Sequence, residues 1–147
     1  MKIHVRVVEA ENLPKMDYFF GSIDPYCILY LDPERSQEKR TTVKNRDKHP
    51  KWNEDFHFTI KDFYDQSLVI ILKDKDTFSS DDNVSKLHFP LKNFEQSKVT
   101  DKWYTLIPYK NVKRGGRIRL LIHIGPITEK PFNPDIKINV NSDLSAR

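Results

Sequence analysis

Alternation of apolar and polar side chains starts at the second residue. In Lys2 to Glu9 (KIHVRVVE), Ile3, Val5 and Val7 fall on one face, the two-residue period of a half-buried strand. Seven more segments read as strands: Tyr26 to Leu31, Lys39 to Lys44, Trp52 to Ile60, Ser67 to Lys73, Val84 to Phe89, Lys102 to Leu106 and Arg117 to Ile124. Clusters of Pro, Gly, Asn, Asp and Ser separate them at spacings that predict an all-β fold, an eight-stranded antiparallel sandwich. The helical candidates are a turn near Leu91 to Gln96 and the segment Lys61 to Gln66. From Gly125 the apolar rhythm fades and three prolines enter. The expected organisation is therefore a sandwich over 1–124 and a polar, proline-containing tail over 125–147, draped or disordered, with Asp135 to Val140 as a candidate edge strand.

Length and composition narrow this picture. A chain of 147 residues suits one domain with a core large enough to need no disulfide, and its single cysteine, Cys27, can form none internally. No basic start followed by an apolar run reads as a secretory signal, so the expected location is cytoplasmic. No apolar stretch approaches the roughly 18 residues of a membrane span, so membrane contact would be peripheral. The net charge of +4 suits an anionic surface without choosing one. No glycine-rich phosphate loop or nucleophile elbow marks an enzyme.

The candidate chemistry lies in two acidic loops. Asp17 and Asp24 flank MDYFFGSIDPY, and Asp74, Asp76, Asp81 and Asp82 crowd KDKDTFSSDDN, which follows the apolar LVIIL. Carboxylates held close together repel unless a cation neutralises them or protons stay bound. Calcium suits such loops, because it takes about 6 to 8 oxygen ligands in flexible geometry, whereas magnesium prefers near-ideal octahedra and keeps its waters. The histidines His4, His49, His57, His88 and His123 are scattered without the spacing of a zinc site, and Cys27 stands alone. Turn preference suffices for Asp32, Asp47 and Asp101, and explains the two clusters less well.

The ordered series AENLPKMD, SIDPY, HPKWNEDF, LVIILKDKDTFSSDDN and KWYTL resembles a C2 domain, the calcium- and phospholipid-binding β-sandwich of protein kinase C and the synaptotagmins. The resemblance runs from Met1 to Ile124. Because the chain starts on the strand before the first acidic loop, it is similar to the type II, phospholipase-like strand order. Carried over by position, the resemblance implies Ca2+ held by Asp17, Asp24, Asp74, Asp76 and Asp82, with Ser79 as a further oxygen and Asp81 as a neighbour. Ile23 replaces a small polar residue before DPY and the interval from Asp17 to Asp24 is about one residue longer than usual, which implies a reshaped first loop. Ser85 stands in place of a glycine and His49 in place of an asparagine.

In such a fold both acidic loops project from one end, which places Tyr18, Phe19, Phe20 and Phe78 at the tip as membrane-inserting candidates. Each aromatic contributes about 1.5 to 3 kcal/mol if fully buried. At least one of the first three, Tyr18 or Phe20, is expected to fold back onto the sandwich. With five ligand aspartates contributing −5 to a net +4, the rest of the chain carries +9. Bound calcium would cancel most of the repulsion between the tip and an anionic leaflet.

The segment Arg35 to Lys51 carries seven Lys or Arg against Glu38 and Asp47. From it, Lys39, Arg40, Lys44 and Arg46 are candidates for an anionic-lipid face, and a solvated strand and turn is the alternative. Ile28 and Tyr30 stand where a phosphoinositide-binding C2 domain has lysines, which argues against that selectivity. Trp52 is assigned to the core, and Trp103 with Tyr104 to a late strand. The functional expectation is calcium-dependent binding of anionic phospholipid membranes by a monomer recruited peripherally from the cytoplasm, as in signalling and membrane trafficking. The alternative is a calcium-independent protein-interaction module on the same sandwich. The tail is a candidate site for a protein partner. Nucleic acid is not expected, since no aromatics interleave the basic stripe.

Overall fold

The computed structural model describes residues 1–16, 21–35 and 37–132. In β1 (Lys2–Glu11), Ile3, Val5 and Val7 turn inward to full burial, as the alternation predicts. A bulge after Val7 then resets the phase, so that Glu9 meets Arg119 outside and Ala10 meets Ile118 inside. The opposing kink in the neighbouring strand falls at Asn53, whose φ is 50°.

The remaining strands are β2 (Pro25–Asp32), β3 (Lys39–Arg40), β4 (Lys51–Thr59), β5 (Ser67–Asp74), β6 (Asp82–Pro90), β7 (Val99–Thr105), β8 (Ile107–Pro108) and β9 (Arg117–Gly125). They form two antiparallel sheets, of order β4-β1-β9-β7 and β3-β2-β5-β6-β8. The core fills the space between them, with Phe58, Leu29, Leu68, Ile70 and Leu120 fully enclosed. The apolar run of β5 serves both of its faces. Leu68, Ile70 and Leu72 point into the sandwich, while Val69 and Ile71 lie under Tyr26, Ile28, Tyr30 and Tyr109 on the outer side.

Two strands depart from the expected boundaries. β3 stops at Arg40, past which side chains enter the pattern: the Thr41 amide still donates to the Cys27 carbonyl at 2.9 Å, but Thr41 Oγ1 accepts the Cys27 amide at 2.8 Å and the Thr42 amide turns to the Glu54 carboxylate of the other sheet at 3.0 Å. β8 is an additional two-residue strand beside Ser85 and Lys86, and it ends at Pro108, which has no amide to continue a ladder. Leu91–Asn93 is a single 3-10 turn. The segment Lys61 to Gln66 is also a turn, in which the Gln66 side chain accepts the Lys61 and Asp62 amides. Trp52 is buried, with its indole donating to the Thr42 carbonyl at 2.8 Å, and Trp103 is buried on β7.

The strand registers fix which loops share an end. Glu11 pairs with Arg117, Pro25 with Asp74, and Asp74 with Asp82 at one end. Lys2 pairs with Gly125 and Asp32 with Ser67 at the other. β1 leads into the first acidic loop. Past β9 it turns at Pro126, where the Glu129 amide returns to the Pro126 carbonyl at 3.0 Å. Phe132, the last described residue before the C-terminus, lies under the Arg6 guanidinium at 5.0 Å. The candidate strand Asp135 to Val140 lies outside the described residues.

Candidate functional site

The acidic end is built by backbone before side chains. Asp24 stands just ahead of β2, Asp74 ends β5, and Asp82 opens β6 as the cross-strand partner of Asp74. The Asp24 amide donates to Asp74 Oδ1 at 2.8 Å, and the Lys75 amide donates to the Asp24 carbonyl at 2.9 Å, so the two acidic loops clasp each other. A third loop wraps the pair: the Lys44, Arg46 and Asp47 amides reach the Pro25 carbonyl, Asp24 Oδ1 and the Ile23 carbonyl at 3.0, 2.7 and 3.0 Å. Ile23 is buried in the core, which anchors the end of the first loop. At its start the Met16 amide donates to the Ser22 carbonyl at 3.1 Å. Asp17, Tyr18, Phe19 and Phe20 lie outside the described residues.

Electrostatic cost concentrates on Asp74. Burial pushes its carboxyl up to about 6, and the charges of Asp24, Asp82 and Asp76 push the same way, while the Asp24 amide offsets part of the effect. Asp76 behaves differently. The Phe78 amide and Ser79 hydroxyl donate to its carboxylate at 2.9 and 2.8 Å and hold its pKa below the ordinary range. Ser79 is therefore tied to Asp76 itself. Asp81 braces the loop, accepting the Asp76 amide at 2.9 Å and the phenol of Tyr26, with Lys75 Nζ 3.6 Å away. Burial and that carboxylate push the Tyr26 phenol up to about 12. Phe78 stands at the loop's apex, 98% exposed.

The four basic candidates do not share one face. Lys39 Nζ donates to the His57 carbonyl at 2.7 Å, across to the other sheet, and Arg40 lies 3.6 Å from Glu38. Lys44 and Arg46 belong to the loop that wraps Asp24. Sequence reading passed over a further basic loop at this end, Tyr109 to Gly116, which carries Lys110, Lys113 and Arg114. Arg114 donates to the carbonyls of Asn12 and Leu13 at 3.0 and 3.2 Å and so supports the first acidic loop. Gly116 closes that loop at φ +79°, where a Cβ would sit 2.5 Å from Leu13 Cδ2. The pair Gly115-Gly116 was the signal available in the sequence.

Among the described residues, no three His, Cys, Asp or Glu side chains already stand as a ready-made metal cage. The chemistry of the donor set nevertheless fits a hard cation: Asp24, Asp74, Asp76 and Asp82 offer only oxygen, and their partners are mostly backbone amides. Among the described residues no helix is long and apolar enough to cross a membrane.

A family model for the C2 domain matches residues 1–106. Synaptotagmin-4 of Arabidopsis thaliana is 28% identical over 148 aligned positions, covering 95% of this chain and 26% of the relative. The chain spans about a quarter or less of the length of the curated relatives it first matches. Among solved structures, a C2 domain of a plant extended synaptotagmin 1 superposes with a TM-score of 0.76 at 27% identity, covering 87% of this chain and 96% of that one. The calcium-bound pair of C2 domains of extended synaptotagmin 2 gives a TM-score of 0.70 at 28% identity, covering 83% of this chain and 44% of that one.

Proposed function

The chain belongs to the C2 domain family, and from that membership we propose that it binds anionic phospholipid membranes in a calcium-dependent manner through its two acidic loops. The observation that carries this reading is the clasp between Asp24 and Asp74, with Asp82 alongside, at a carboxyl that burial and neighbouring charge already make costly to ionise. Asp17, Asp24, Asp74, Asp76 and Asp82, with Ser79, are the residues that would hold Ca2+, which when bound supplies the positive charge that offsets the acidic tip.

The chain's own residues divide the remaining work. Phe78 offers an apolar side chain that only a partner surface can bury, and Tyr18, Phe19 and Phe20 join it in this reading. Arg40, Lys44 and Arg46 attract an anionic leaflet at longer range, while Lys39 is engaged with β4. Lys110 and Lys113, beside the same end, add to that attraction. The domain acts as a monomeric targeting module without enzymatic activity of its own, reaching membranes from the cytoplasm, with its tail as a site for a protein partner.

Liposome co-sedimentation tests the proposal. Binding to phosphatidylserine vesicles with calcium, and none to phosphatidylcholine or in chelator, is the expected pattern. Equal sedimentation with and without calcium would instead favour a calcium-independent interaction module on the same sandwich.

A further inference from the structure

The outer face of the five-stranded sheet carries a second apolar cluster. Tyr26, Ile28, Val69 and Ile71 are buried there, and among the described residues it is the partly buried rings of Tyr30 and Tyr109 that pack against them. An antiparallel sheet with one solvated face alternates apolar and polar positions. β5 does not, since SLVIIL is buried throughout. The registers line up one row across all five strands: Arg40 beside Ile28, Ile28 beside Ile71, Ile71 beside Lys86, and Lys86 beside Ile107. The neighbouring rows run Tyr26, Lys73, Asn83 and Tyr30, Val69, His88. Ile107, at the end of its row, is 60% exposed.

The charges on this face are one-sided. No residue of the three rows is acidic. Glu38, Asp32 and Asp81 stand at its margins and are already engaged, by Arg35 and Arg40, by His88, and by Tyr26 with Lys75. Lys73 acts on the same Asp81, while Lys86 has the Tyr109 ring, 5.5 Å from its Nζ, in place of a carboxylate. The Arg35 guanidinium lies 4.3 Å over Tyr30. Aromatic rings, an exposed isoleucine and uncompensated cations together fit an anionic partner that also brings apolar side chains. A phosphorylated headgroup offers hydroxyls and phosphates, which gain little from Ile107 or the tyrosine rings. Arg40 and Lys86 stand three strand spacings apart, about 14 Å at about 4.8 Å each. That span brackets the roughly 10–12 Å diameter of an α-helix. The edge strands β3 and β8 have two residues each, so an added strand would find little to pair with.

We propose that this face docks an acidic amphipathic helix of a protein partner, with its apolar stripe on Tyr30, Tyr109 and Ile107 and its carboxylates toward Arg40, Lys73 and Lys86. The helix supplies the negative charge that the face lacks and covers the rings that the chain itself leaves partly open. The face runs along the strands rather than at their ends, so a domain docked by its acidic loops leaves it accessible. Binding here needs no calcium, and because the attraction is between exposed charges it weakens as salt rises.

The test is fluorescence anisotropy with the full chain in chelator. The probe is a labelled synthetic helix with a leucine stripe flanked by glutamates, and two control peptides carry glutamine for glutamate or serine for leucine. Binding of the first peptide alone is expected. Lys73→Glu with Lys86→Glu should weaken it about tenfold or more. Ile107→Ser should weaken it severalfold, while Lys51→Glu, at an exposed position on β4 of the other sheet, leaves it unchanged. A peptide with lysines in place of the glutamates should bind the charge-reversed variant, which shows that the variant is folded and the contact direct. Failure of the acidic peptide to bind wild type, binding that survives the double reversal, or an equal loss with Lys51→Glu would overturn the proposal. So would an acidic peptide that stays unbound while phosphatidylcholine vesicles doped with a phosphoinositide bind wild type and not the double reversal, since the face would then be a lipid site. Every measurement is made without calcium, so its failure is distinguishable from failure of the calcium-dependent reading.

Discussion

The Asp74 carboxyl is pushed up to about 6 from an ordinary value of 3.8 by burial, with Asp24, Asp82 and Asp76 adding to the shift. The unfolded chain therefore releases this proton before the folded one as pH rises. In metal-free protein, the stability linked to this group is fully present below about pH 4 and is lost as pH climbs through about 6. Asp74→Asn keeps an acceptor for the Asp24 amide but cannot ionise. In chelator it should raise the melting temperature at pH 7 and change it little at pH 4. Calorimetric scans at the two pH values check this, and an equal shift at both would mean that ionisation is not the source. At this scale the sequence was informative about residue type and poor about partners. The acidic positions are visible in DPY and KDKDTFSSDDN, but the role of Asp81 depends on Tyr26, which lies 55 positions away and meets it only through the pairing of β2 with β5.

Elements repeat that division between local and long-range information. A two-residue period is local, so β1 and β4 could be read directly from the chain, and the apolar runs of β5 and β9 are local signals as well. β3 could not, because its end is set by Thr41 and Thr42 finding partners on two different sheets. The row from Arg40 to Ile107 was invisible for the same reason, since only cross-strand register brings its residues together. The loop between β5 and β6 is the element on which calcium binding should depend most directly. Its shape rests on Asp81 accepting the Asp76 amide and the Tyr26 phenol. Removing the phenol with Tyr26→Phe leaves the buried ring in place but frees one side of Asp81. A hydrogen bond to a charged group is worth at least about 1 kcal/mol, so calcium affinity should fall roughly fivefold. Isothermal titration with calcium measures it, and unchanged affinity would show that the brace does not position the ligands.

At the scale of the whole molecule, the proposed calcium binding would be linked to folding. The site is assembled from three loops that meet only in the folded sandwich, so the metal has no preformed site on the unfolded chain. Calcium at a hundredfold excess over its dissociation constant should then add about 2.7 kcal/mol to stability. A melting temperature equal in millimolar calcium and in chelator would count against the acidic end as a calcium site.

The proposed membrane docking draws on two forces that act together on the same molecule, and salt separates them. Phe78 is almost fully exposed at the loop apex, and apolar burial is not screened by ions. The attraction from Arg40, Lys44 and Arg46 decays over a Debye length of about 8 Å at physiological ionic strength and faster above it. Phe78→Ala should therefore weaken calcium-dependent binding to phosphatidylserine vesicles at low and high salt alike. The loss should approach the 1.5 to 3 kcal/mol of about one buried aromatic, a tenfold effect or more. Neutralising the three basic residues together should matter chiefly at low salt. Calcium affinity without vesicles should survive Phe78→Ala, because Phe78 contributes only its backbone amide to the Asp76 turn. Co-sedimentation across a salt series distinguishes the outcomes. If Phe78→Ala binds like wild type while the basic variant loses binding at every salt concentration, docking runs through the basic residues and the exposed phenylalanine serves another contact.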